Sequence, residues 1–163
     1  MRRLVMTVVV AIAATACGGP SPTGPTAVVP QNFQGRWTGD YVIASCTASG
    51  EFQFVFCDTF STGSTWPMVV TLTQAGTQVT GTIDLGDASG PVNGFVSTTN
   101  HLILNGALTV ITSGAVVTVS LSGWDTTSNG TTMSGGWASS WTASSLTGSG
   151  RLSHSIRVLA KTA

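Results

Sequence analysis

The sequence predicts an all-β protein, an antiparallel up-and-down β-barrel of about eight strands that follows an N-terminal apolar segment and a Pro/Gly-rich linker. Three observations predict it. A pattern of apolar residue, any residue, glycine recurs as Trp37-Thr38-Gly39, Val79-Thr80-Gly81, Val92-Asn93-Gly94, Leu104-Asn105-Gly106, Leu121-Ser122-Gly123, Met133-Ser134-Gly135 and Leu146-Thr147-Gly148. From Val79 onward most steps are about 12–13 residues, one strand plus one turn. Alternation is strict within the repeat: Val79, Gly81, Ile83 and Leu85 share one face, as do Met68, Val70 and Leu72, and Leu102, Leu104, Gly106 and Leu108. No helical stripe runs through residues 35–160, where Thr, Val, Ser and Gly dominate. The step is too short for a solenoid or propeller repeat. Parity turns the recurrent glycines inward, where they let a sheet curl and close. An open β-sandwich is the alternative fold.

Residues 1–16 begin with Met1-Arg2-Arg3, continue as an apolar run from Leu4 to Ala13, and end in Ala14-Thr15-Ala16 before Cys17. As a helix, Leu4 to Ala16 would be about 20 Å long, too short for a hydrocarbon core roughly 30 Å thick. Charged start, short apolar stretch and small residues are the anatomy of a cleaved export signal. With the cysteine directly behind, the segment resembles a bacterial lipoprotein signal peptide, in which cleavage precedes a cysteine that then carries acyl chains. The resemblance implies lipidation of Cys17, with palmitate-type chains, and a lipid bilayer as partner. It departs from the family pattern at Ala14, where Leu is usual. Plain secretion with cleavage after Ala16 is the alternative. Gly18, rather than Asp, follows the cysteine, which in such lipoproteins implies the outer membrane.

Residues 17–34 form the linker, in which Pro20, Pro22, Pro25 and Pro30 with Gly18, Gly19 and Gly24 oppose regular structure. Partly extended at about 3.1 Å per residue, it would reach on the order of 50 Å, and residues 1–34 are expected to pack against nothing. The strands are then expected near Arg36–Ile43, Met68–Gln74, Gln78–Leu85, Pro91–Ser97, His101–Thr109, Ala115–Trp124, Thr132–Ala138 and Leu146–Leu159. Phe52–Cys57 is either a further strand or a flap, with Phe52, Phe54 and Phe56 facing one way. With Cys17 acylated, Cys46 and Cys57 remain as an even pair, and export permits a disulfide between them. Two buried free thiols are the alternative.

Gly35-Arg36-Trp37 opens the first strand and resembles the Gly-x-Trp that opens lipocalins and related calycin barrels; avidin-type barrels begin similarly. The resemblance implies a lipocalin-like barrel over residues 35–160 and an Arg from the last strand packed on Trp37, with Arg157 the better positional match and Arg151 the second. The helix that follows the lipocalin barrel has no counterpart, and the polar biotin-binding set of avidins has no match.

Charged residues make up only 7% of the chain. Losing Arg2 and Arg3 from six basic residues leaves four against six acidic ones, a net charge near −2. No basic patch remains for nucleic acid. No Gly-x-Ser-x-Gly elbow, His-Glu-x-x-His helix or phosphate-binding loop occurs, so no enzyme is expected, nor any metal or cofactor. Parity places His101 outside and His154 inside. Asp125 ends a strand at inward parity, within reach of a ligand at a barrel mouth, and Asp84 and Asp87 read as turn residues. Trp37, Tyr41, Trp137 and Trp141 fall inward or near a barrel end, and Trp66 is placed to cover a mouth. Together with His154 and Asp125, Trp37, Tyr41, Trp137 and Trp141 are the candidates to line a site for a small apolar ligand. A solid core is the competing expectation. The function expected is a membrane-anchored extracytoplasmic binding protein for a small apolar molecule or an envelope partner. The alternative is an assembly lipoprotein working through its outer surface.

Overall fold

The computed structural model describes residues 29–112 and 115–162; the signal segment and Cys17 lie outside the described residues. Eight strands close into an antiparallel barrel in which each pairs with the next and β8 returns to β1. They are β1 (Gly35–Gly50), β2 (Thr65–Ala75), β3 (Gln78–Asp84), β4 (Ser89–Val96), β5 (Leu102–Thr112), β6 (Ala115–Ser128), β7 (Thr132–Ala143) and β8 (Gly148–Thr162). Alternating inward residues make one core, from Met68, Val70 and Leu72 through Val79, Ile83, Val92 and Leu104 to Met133, Leu152 and Leu159.

The inward glycines act at strand crossings. A Cβ on Gly81 or Gly94 would collide with the carbonyl oxygens of Thr71 or Ile103 on the neighbouring strand. Their absence of a side chain lets the strands coil tightly enough to close. Three of the six glycines expected to point inward do something else. Gly123, at φ +59°, is an extra residue in β6 opposite both neighbouring strands. Gly135 and Gly148 also have positive φ and are exposed. Leu146, expected inside with them, stands in the β7–β8 turn, 44% exposed.

Bulges correct other face assignments. The extra residue at Gly123 flips the parity of β6, so Trp124 and Thr126 are buried and Asp125 points outward. Asp125 therefore lines nothing inside the barrel; it pairs with His101 Nδ1 on the outer surface at 2.5 Å. In β8, Asp40 faces Val158 but Tyr41 faces Ile156, so Arg157 and Val158 share one step. Both are exposed, and Leu159 swings inward.

The floor closes with residues that the linker reading left out. Phe33 is fully buried. Its carbonyl accepts the Trp37 indole N–H at 2.8 Å, and its own N–H donates to the Gln74 side chain at 2.8 Å. Gln31 N–H donates to Asn100 Oδ1. The end of the linker is thus a strap across the barrel base, held by side chains from the end of β2 and from the β4–β5 turn. Trp37 is fully buried, but among the described residues no arginine covers it. Arg157 alternates outward from buried Ile156, and Arg151, near the other end of β8, alternates outward with buried Gly150 and Leu152. Lys161 lies over Trp37 instead, its Nζ 5.4 Å from the ring centroid, because Trp37 and Lys161 are cross-strand partners. Being exposed, that contact contributes about 0.5–1 kcal/mol.

Truncating Phe33 or Trp37 to Ala is expected to cost about 3–5 kcal/mol each, as for other large buried aromatics. Arg151→Ala and Arg157→Ala should stay within about 0.5 kcal/mol. Chemical denaturation of the four variants checks this; a Phe33→Ala midpoint equal to the parent's would detach the strap from the core.

Candidate functional site

At the end opposite the strap, the chain between β1 and β2 folds over the mouth. Residues 51–64 are not a strand. Glu51–Phe54 is a 3-10 turn and α1 (Phe56–Thr59) a single helical turn. Helical spacing puts Phe52 and Phe56 on one buried face and leaves Phe54 71% exposed, so the three phenylalanines do not share a face.

Four sets of interactions hold this flap. Cys46 of β1 and Cys57 of α1 form a disulfide with Cα atoms 5.7 Å apart. Closing this short loop contributes roughly 2–3 kcal/mol. Glu51 N–H donates to Thr147 O at 2.9 Å, and Thr147 N–H returns to Glu51 Oε2 at 2.7 Å, tying the flap to the β7–β8 turn. Gly63 N–H donates to Ile43 O at 2.8 Å, and Ile43 N–H to Ser64 O at 3.0 Å. Phe56 lies against Gly150, where any Cβ would overlap its ring.

Under the flap is a cavity of about 290 Å³. Phe52, Val55, Phe56 and Phe60 line it from the flap, Trp66 from β2, Leu85, Asp87 and Ala88 from the β3–β4 turn. Val110 and Val117, cross-strand partners, face it from β5 and β6, Trp141 from β7 and Leu146 from the last turn. The rings pack on one another: Phe60 sits 4.9 Å from Trp141 and 5.7 Å from Trp66 by centroid, and Phe56 5.0 Å from Phe60.

Tyr41 separates this cavity from a filled waist. Below it Trp124, Trp137 and His154 stack, with centroids 5.6 Å apart for the two indoles and 3.6 Å for Trp137 and His154. Tyr41 meets Trp137 and His154 edge-on. Burial, and then the negative charge of Asp87, raise the Tyr41 phenol from 10.0 to about 12, so it is neutral and able to donate at ordinary pH.

Of the ligand-lining candidates, Tyr41 and Trp141 face the cavity. Trp137 and His154 belong to the solid waist, Trp37 to the floor and Asp125 to the exterior. Phe60, Val110, Val117, Asp87 and Glu51 complete the lining without having carried a sequence signal beyond their turn or strand character. Trp66 stands at the mouth, where its position before the second long strand suggested it.

His154 is held by a polar chain. The Trp141 indole N–H donates to Ser139 Oγ at 2.9 Å, and Ser139 Oγ lies 2.9 Å from His154 Nε2. A serine hydroxyl has two acceptor lone pairs besides its hydrogen, so Ser139 takes the Trp141 N–H and serves either tautomer of His154 at Nε2, donating to a bare nitrogen or accepting from an N–H. Neither His154 Nδ1 nor the Trp137 indole N–H has a hydrogen-bond partner among the described residues. Each such orphan costs about 1–3 kcal/mol. Burial lowers the His154 pKa from 6.5 to about 3, which keeps the ring neutral.

A pH dependence follows. The unfolded chain binds the His154 proton near pH 6.5 and the folded chain only near 3, so this contribution to stability is complete above 6.5 and is lost as pH falls toward 3. The slope is at most about 1.4 kcal/mol per pH unit. His154→Gln should flatten the stability profile in that window relative to the parent; parallel profiles would mean that His154 is not held neutral.

No protein-family model, curated protein or solved structure matches the chain. Its likeness is one of architecture: a closed eight-stranded antiparallel barrel, consistent with a lipocalin-like fold.

Proposed function

We propose that this protein is a membrane-anchored, extracytoplasmic binding protein that holds a small apolar molecule at the barrel mouth and performs no chemistry on it. The observation that carries the reading is the apolar cavity of about 290 Å³ beneath a disulfide-tied flap. Cavities of about 300 Å³ and upward with mostly apolar walls and few polar groups suit small ligands. The Tyr41 hydroxyl, which makes no hydrogen bond among the described residues, supplies one orienting group. The Cys46–Cys57 bridge suits an oxidising compartment. The anchor in this reading is acylated Cys17, and the membrane is the outer one.

A neutral fluorescent probe, N-phenyl-1-naphthylamine, tests the cavity. It should bind the parent and brighten. Val117→Trp, which fills the cavity from β6, should abolish the enhancement while leaving the far-ultraviolet circular dichroism of the barrel. Undiminished binding to Val117→Trp, or none to the parent, removes the reading.

The anchor is tested separately. Protein extracted from membranes should have an intact mass lacking residues 1–16 and carrying acyl chains on Cys17. A mature chain that still begins at unmodified Met1 would contradict it.

Contact with an envelope partner through the flap is the second reading, favoured by Phe54 and Val55, exposed 71% and 64%. Phe54→Ser should leave probe affinity unchanged and affect only such a contact.

A further inference from the structure

We infer that the ligand of the mouth cavity is a cation with an apolar body, a protonated hydrophobic amine or a quaternary ammonium, rather than a fatty-acid-like anion; this rests on the cavity reading above.

Two features of the lining carry the inference. Among the described residues its only ionisable groups besides Tyr41 are carboxylates, Glu51 of the flap and Asp87 of the β3–β4 turn, with no Lys, Arg or His. Six aromatic side chains, those of Tyr41, Phe52, Phe56, Phe60, Trp66 and Trp141, supply the rest of its π surface. Ring faces attract a cation within about 6 Å and repel an anion, most strongly where water is excluded.

Charge is also polarised along the barrel. Glu51 and Asp58 on the flap, Asp84 at the end of β3 and Asp87 in the turn gather at the mouth. Arg36 and Lys161 sit together at the floor, where β1 begins and β8 ends. Arg157 projects outward from the bulge in β8, and Arg151 borders an outer crevice with Thr47 and Ser149, on the far side of the wall from the cavity. The field at the entrance therefore favours arrival of a positive ligand. Asp87 is near enough to the buried phenol of Tyr41 for its charge to act there, so its influence reaches the inner end of the cavity.

Calorimetric titration of the protein with octyltrimethylammonium, 1-octanol and octanoate separates head-group charge from chain length. The cation should bind about tenfold more tightly than the alcohol, the scale of a partly desolvated cation–π contact, and octanoate should bind most weakly. Asp87→Asn combined with Glu51→Gln should weaken binding of the cation while leaving it the margin that the rings supply, and the affinity of the alcohol should not change; an unchanged cation affinity would overturn the part given to the carboxylates. Raised salt should act in the same direction. Equal binding of all three, or preference for octanoate, overturns the charge inference and leaves the cavity reading standing. Failure of all three to bind removes both.

Discussion

The seam between β1 and β8 closes the barrel and sets both of its ends. Its register runs from Arg36 opposite Thr162 to Gly50 opposite Gly148, the longest pairing in the sheet. At one end it brings Lys161 over Trp37, beneath which Phe33 draws the linker into the base. At the other end it runs on beyond the β1–β2 pairing, with Cys46–Gly50 opposite Gly148–Leu152. There Cys46 holds the flap covalently, and Gly150 leaves room for Phe56. Loss of this pairing would open the floor and release the mouth together.

The interior between those ends is divided. The waist is packed with Trp124, Trp137 and His154 in a continuous stack, and a solid interior is what close packing favours. Above Tyr41 the walls change from large interlocking side chains to Val110, Val117, Leu85 and Ala88, while the flap rings stand back against Gly150 and Trp66. The cavity exists because the flap spans the mouth instead of descending into it. The disulfide and the Glu51–Thr147 clamp fix it at that height.

The barrel was legible in the sequence because alternation and the apolar-x-Gly repeat both report a half-buried, strongly curved strand. Five of the six apolar residues beside the later glycines, Val79, Val92, Leu104, Leu121 and Met133, are buried as parity required. Errors arose where one residue was inserted. A bulge at Gly123 turned Asp125 outward, and another at Arg157–Val158 shifted the residues after it, so that Leu159 is inside and Lys161 lies over Trp37. Period-two reasoning has no means of seeing an unpaired residue from one strand alone, because a bulge is defined against its neighbour. Phe33 was hidden by the prolines and glycines before it, although its spacing of four from Trp37 is what lets its carbonyl meet the indole. The cavity was legible only in part. Tyr41, Trp66 and Trp141 carried an aromatic signal, whereas Phe60, Glu51 and Asp87 reach the mouth through loop conformation, which leaves no periodic trace.

The central claim is that a ligand sits above Tyr41, under the flap, and not within the waist. The most direct measurement is the proton–nitrogen correlation spectrum of the five indoles during titration with octyltrimethylammonium or N-phenyl-1-naphthylamine. The account predicts saturable shifts of the Trp66 and Trp141 indole signals, both in the cavity wall, with Trp37 and Trp124 unmoved in the floor and waist. Shifts centred on Trp37 or Trp124, with Trp66 and Trp141 silent, would contradict it.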